Sequence, residues 1–238
     1  MIHLTGDTHG QFKNFENIKK FCKEHNTTIN DVLIVLGDAG INFEDSFLDT
    51  QKKKFLSKIP VTFLCIHGNH ECRPEHIFTY NLEKWDAGLV YKEEDYLNIL
   101  FAKDGEIYNI EGLKYIAIGG AYSVDKEYRL LMGWNWWKDE QPSEETKKYA
   151  QNQLEKNNWN IDVVLSHTVP LKYEPVEVFL PGINQSKVDK STEEWLNEIE
   201  NRLSYKKWYA GHYPCEKSID KLQIMFNDIE ELKIIEKL

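Results

Sequence analysis

The chain has no apolar run approaching the roughly 18 residues that a membrane-crossing helix needs. It has no basic start leading into an apolar stretch, the mark of a secretory leader, so we expect a cytoplasmic protein. It has no excess of basic residues. A net charge of -10 argues against a sequence-independent nucleic-acid binder, whose phosphate contacts need a basic face. Cysteine is sparse: Cys22, Cys65, Cys72 and Cys215 form no C-x-x-C pair, so we read reduced thiols that serve as small packing residues. Repeats, low-complexity segments and Pro/Gly/Ser linkers are also missing. We therefore expect one domain over 1–238, and 41% hydrophobic residues are enough to give it a core.

What is present is an alternation. The near-continuous apolar runs DVLIVLG (31–37), VTFLCIHG (61–68) and IDVVLSH (161–167) read as strands covered on both faces. Between them lie stretches with helical spacing. In 11–25 the apolar residues fall at 12, 15, 18, 21 and 22, and 46–59 is similar. The stretch 142–157 opens on Pro142 and a capping Ser143, followed by acids in the first turn. The stretch 191–203 opens with Ser191 and Glu194 at capping-box spacing. In 106–120 the pair Glu111-Gly112 separates two strand-like runs and predicts a hairpin. From 222 onward the pattern fits one or two strands or a short helix. The order β-α-β-α-β, hairpin, α-β-α-β predicts an α/β protein with helices outside its sheets.

Residues able to bind metal follow each apolar strand. After IHLT come Asp7 and His9; after VLIVL, Asp38; after TFLCIH, Asn69 and His70; after VVLS, His167; after KWYA, His212. In α/β sheets the carboxyl ends of strands gather at one edge, where ligands bind. Two divalent cations about 3.5–4 Å apart need a bridging carboxylate, and Asp38 is the natural bridge. Asp7 and His9 reach one ion if the strand frays into a turn. Asn69 offers a neutral carbonyl oxygen, and His167 and His212 offer imidazoles. Neighbouring glycines let the backbone turn sharply and come close. Mixed nitrogen and oxygen ligands suit Mn, Fe or Zn better than calcium.

The ordered set DTH, GD, GNHE, SH, GH, spread over residues 7–212, resembles the signature of the calcineurin-like metallophosphoesterases. The resemblance implies two mixed β-sheets packed as a sandwich with helices on both outer faces. It implies two divalent metal ions, one held by Asp7, His9 and Asp38, the other by Asp38, Asn69, His167 and His212. It places His70 beside the scissile phosphate, protonating the leaving oxygen, while hydroxide bridging the metals attacks phosphorus. Two positions depart from the pattern. Many members carry a second histidine where this chain has Pro214, although the protein-phosphatase branch lacks it too. The second motif often ends in an aspartate that orients the GNH histidine. Here that place is Ile41, so His70 needs another partner, a carboxylate from elsewhere.

The expected function is hydrolysis of a phosphate ester, with a phosphomonoester favoured by the phosphatase-like Pro214. Its alternatives are a phosphodiesterase or nucleotide hydrolase, and a non-catalytic binding scaffold. The expected partner is a phosphorylated small molecule, a nucleotide or a phosphoprotein. Within 119–143, Trp134, Trp136 and Trp137 form either a hydrophobic cluster under a long loop or a lid that stacks on a substrate ring. Arg129, in the same stretch, is the candidate phosphate grip, because a guanidinium matches two oxygens at once. His3, His25, His67 and His76 fall outside the pattern and read as surface or core residues.

Overall fold

In the computed structural model, which describes residues 1–43 and 47–234, the apolar runs become the parallel centres of two sheets. The chain runs β1 (Ile2–Thr5), α1 (Phe12–His25), β2 (Val32–Val35), α2 (Phe47–Leu56), β3 (Thr62–Cys65), β4 (Tyr80–Trp85), β5 (Gly88–Glu93), β6 (Ile99–Ala102), β7 (Ile107–Ile110) and β8 (Leu113–Ile118). It continues through α3 (Lys126–Met132), α4 (Glu144–Lys156), β9 (Val163–Ser166), α5 (Ser191–Arg202), β10 (Lys207–Ala210), β11 (Lys217–Ile219), β12 (Leu222–Ile224) and β13 (Ile229–Glu231). One sheet has the order β13-β1-β2-β3-β6-β5-β4, the other β11-β12-β10-β9-β8-β7. The inner pairs β1-β2, β2-β3, β8-β9 and β9-β10 are all parallel.

Side chains alternate across a strand, so each central strand serves two cores. Ile2, Leu4, Ile34 and Leu64 face the other sheet and meet Tyr115, Val163 and Leu165. Leu33, Val35 and Phe63 face outward against Phe15 and Ile18 of α1 and Leu56 of α2, and Ile41 is buried in the same cluster. Beyond the second sheet, Ile116, Val164 and Trp208 meet Leu154 of α4 and Leu196 of α5. The architecture is helix–sheet–sheet–helix. Cover on both faces is the reason these runs show no polar alternation. No helix among the described residues is long and apolar enough to cross a membrane.

Several local features follow expectation and others do not. Ser143 caps α4, its Oγ accepting from Thr146 N–H at 3.2 Å. At the Glu111-Gly112 turn both φ angles are positive, 51° and 81°, as a type I′ hairpin requires. Ser191 is not a cap: it is the first residue of α5, and its hydroxyl turns to Gln141 Oε1. Helix α2 stops at Leu56 instead of running to 59, and its expected start at Ser46 lies outside the described residues. Strands β4, β5 and β6 were not expected. The edge strand β4, YNLEKW, is largely exposed, so no apolar run marks it. The chain end forms strands β12 and β13; residues 235–238 of that stretch lie outside the described residues.

Candidate metal centre

Parallel pairing brings the ends of the central strands together. Leu36 N–H donates to Thr5 O and Ile66 N–H to Val35 O, so the loops after β1, β2 and β3 leave the sheet side by side. Gly211 N–H donates to His167 O and aligns the exits of β9 and β10 in the other sheet. The loops then reverse abruptly. His9, Asp38 and His212 have φ of 49°, 45° and 67°, a left-handed backbone that is costly for residues with side chains. Space is equally tight. A Cβ on Gly37 would lie 1.9 Å from His167 Nδ1, and one on Gly68 would lie 2.0 Å from Asp38 Oδ1.

The backbone also aims each ligand. One oxygen of each buried aspartate is held by an N–H: Asp7 Oδ1 by His212 N at 2.9 Å, Asp38 Oδ1 by His70 N at 2.8 Å. The other oxygens face imidazoles. Asp7 Oδ2 lies 3.8 Å from His9 Nε2. Asp38 Oδ2 lies 3.7 Å from His9 Nδ1, 3.4 Å from His70 Nδ1 and 3.9 Å from His167 Nε2. Asp38 thus belongs to two candidate ligand groups, His9–Asp38–His70 and Asp7–Asp38–His167. The six expected ligands come together, and His70 joins them at ligand distance.

The donor set fits a pair of cations. His167 Nδ1 lies 2.9 Å from Leu36 O, which places the ring proton there and leaves a lone pair on Nε2. Asn69 Nδ2 donates to Ser123 Oγ at 2.8 Å, which turns its Oδ1 toward His167 Nε2 at 2.8 Å and His212 Nδ1 at 3.1 Å. Two lone pairs, on His167 Nε2 and Asn69 Oδ1, therefore face each other with no proton between them. A cation resolves that repulsion. Burial lowers the pKa of His9 and His167, and burial together with His167 brings His212 down to about 3, which favours the neutral form of each that can ligate. Burial and the charge of Asp38 raise Asp7. Burial also opposes the charge of Asp38, but His167, His70 and His9 outweigh it and hold this carboxyl below the ordinary range.

Residues 1–223 match the calcineurin-like phosphoesterase family. The chain belongs to that family. Among solved structures it is similar to the phosphopantetheinyl hydrolase PptH of Mycobacterium tuberculosis, at 14% identity and TM-score 0.54, covering 94% of this chain and 87% of that one. It also matches TT1561 of Thermus thermophilus, at 12% identity and TM-score 0.48 over 94% and 87% of the two chains. At these identities the likeness concerns the fold. No curated protein sequence matches the chain.

The stretch after β8 brings a carboxylate to His70. Asp125 Oδ1 lies 3.4 Å from His70 Nε2, a carboxylate from elsewhere in the chain. Ser123, two residues earlier, orients Asn69. Glu140 braces this segment, accepting from Ser123 N–H and from Trp136 Nε1. Trp137 packs edge-on against Phe43, and Trp134 against Tyr128. None of the three tryptophans is among the described residues lining the cavities that reach the ligands. Arg129 is buried. Its Nε donates to Asp125 Oδ2 at 2.8 Å, and it lines a cavity with His9, Asp38, His70 and Lys52.

Asp125, Ser123, Glu140 and Glu71 were not picked out from the sequence as site residues. Glu71, fully buried, accepts from Gly68 N–H and Gly40 N–H and so joins the loops after β2 and β3. It stands inside GNHE, a signal that was available; the other three act on Asn69 and His70 from more than fifty residues away, directly or through Ser123, which no local spacing shows. Of the histidines outside the pattern, His3 and His67 are buried and His25 and His76 exposed. Cys22 and Cys65 are buried, and Cys72 and Cys215 half-buried. Pro214 follows His212 into the wall of the cavity that Asp7 and Asn69 also line.

Proposed function

We propose that the chain hydrolyses phosphomonoesters with two divalent cations, manganese first, with iron or zinc as alternatives. Asp7, His9 and Asp38 would hold one ion and Asp38, Asn69, His167 and His212 the other, Asp38 Oδ2 lying between. When bound, such a pair generates a nucleophile from water at neutral pH and offsets charge on the phosphoryl oxygens. The observation that carries this reading is the 2.8 Å approach of His167 Nε2 to Asn69 Oδ1 beside a buried carboxylate.

His70 protonates the leaving oxygen. Its ring lies between Asp38 Oδ2 and Asp125 Oδ1, each at 3.4 Å, which orients it. Arg129 grips the phosphoryl group, since its contacts to Asp125 and the Asn135 carbonyl use only two of a guanidinium's five donors. A monoester is favoured because Lys52 and Arg129 line the same cavity as His9 and His70, and two cations suit a dianionic phosphoryl group.

Metal analysis after purification without chelator, with turnover of p-nitrophenyl phosphate and its bis ester, tests the proposal. We expect two equivalents of metal and faster monoester hydrolysis. Faster hydrolysis of the bis ester overturns the monoester assignment, and a metal-free, inert protein overturns the catalytic reading altogether.

A further inference from the structure

The candidate metal centre opens into two different cavities, and His9, Asp38 and His70 line both. One holds Lys52 and Arg129. The other, about 280 Å³, has the metal ligands on its floor and Val124, Val178, Phe179, Ile183, Val188 and Phe226 in its wall. At about 30 Å³ per water it has room for roughly nine, the size of a medium alkyl chain or an aryl ring. No lysine or arginine is among the described residues lining it, whereas Asp125, Glu174 and Glu193 are. The nearby Lys190 is spent on Glu174, its Nζ lying 2.7 Å from Oε2. Glu193 is 4% exposed, and its one hydrogen-bonded oxygen accepts from Thr168. Away from the floor, an anionic substituent would meet carboxyl groups and no lysine or arginine among the described residues, while an apolar one would leave water for an apolar wall.

We propose that this cavity selects the alcohol portion of the substrate, and that the ester hydrolysed carries an uncharged, apolar alkyl or aryl leaving group. The assignment rests on the phosphoesterase reading and narrows it: polyphosphorylated nucleotides and acidic phosphopeptides are disfavoured. The phosphoryl group sits toward Arg129, and the hydrocarbon runs along Phe179 and Ile183.

Calorimetric titration with n-alkylphosphonates from ethyl to octyl, on manganese-loaded and on metal-free protein, tests it without requiring turnover. We expect affinity to rise with chain length, by up to about fourfold for each fully buried methylene, in both forms. We expect 6-phosphonohexanoate to bind at least ~10-fold more weakly than hexylphosphonate, since its second anion enters a wall of apolar and acidic residues with no lysine or arginine among the described ones. Ile183→Asp should flatten the length dependence. Equal affinity for ethyl and octyl, equal affinity for the carboxylate-ended ligand, or no binding by any member overturns the assignment. Parallel assays with p-nitrophenyl phosphate separate the two readings. Rising affinity without turnover overturns the phosphoesterase reading alone, and turnover with flat affinity overturns the cavity assignment alone.

Discussion

Asp125→Asn keeps the shape of the side chain that faces His70 and removes its charge. In the native protein this carboxyl has two partners, Arg129 Nε at 2.8 Å and His70 Nε2 at 3.4 Å. Burial opposes its charge, but hydrogen bonds with His70 and Arg129 prevail and bring its pKa down to about 2, so it is ionised at any working pH. A hydrogen bond to a charged group contributes about 1.5–3 kcal/mol. The Asp125 side chain is 35% exposed and that of His70 23%, so water screens the pair and the lower end applies. That corresponds to about a tenfold loss in kcat for esters whose departing oxygen needs a proton. Esters of p-nitrophenol, which depart without help, should lose much less. Freed from its anchor, Arg129 should also raise KM for every ester by a similar factor. Steady-state kinetics across phosphomonoesters of increasing leaving-group pKa separate the two effects. A uniform fall in kcat, or an unchanged kcat for alkyl esters, refutes the role given to Asp125.

Asp38→Asn should abolish turnover and most metal binding, because both candidate ligand groups lose their shared anion; wild-type turnover with two bound metals would contradict the bridge. Gly68→Ala should weaken metal binding and destabilise the fold by about 1–3 kcal/mol, since its Cβ would lie 2.0 Å from Asp38 Oδ1 and 2.2 Å from Asp38 N. Unchanged melting and metal titration would show that the loop yields freely. Glu193→Gln tests buried acidity. Burial holds this carboxyl at about 7, above the ordinary 4.5, so between these values the folded chain keeps a proton that the unfolded chain has released. Stability from this group is therefore present at low pH and lost as pH rises through about 7. Glutamine should leave the protein alike at pH 4 and more stable at pH 8, by the order of 3 kcal/mol. Denaturant unfolding at both pH values checks this, and an equal difference at each would refute it.

Much of the centre was legible because its ligands belong to strands that announce themselves. β1, β2, β3 and β9 are fully or almost fully buried, so each reads as an apolar run, and the polar residue that ends it stands out. The edge hairpin of β4 and β5 was hidden for the opposite reason: an edge strand half in water mixes polar and apolar residues without a clear period. Helix α3 was hidden because its pattern is inverted. Arg129 is buried, while Leu130, Leu131 and Met132 are exposed.

The sequence by itself determined the family, the strand-end residues able to ligate a metal, and the expectation of a carboxylate from elsewhere beside His70. These depend on residue type and local spacing, which a chain carries wherever it folds. Only the tertiary structure decided that the carboxylate facing His70 is Asp125, that Ser123 turns the Asn69 amide, and that a basic and an apolar cavity meet at the same centre. Each of these joins residues far apart along the chain, and His70 and Asp125 meet only because the loops after β3 and β8 leave neighbouring sheets at one edge. Distance through space is set by how the sheets pack, and no local pattern encodes it.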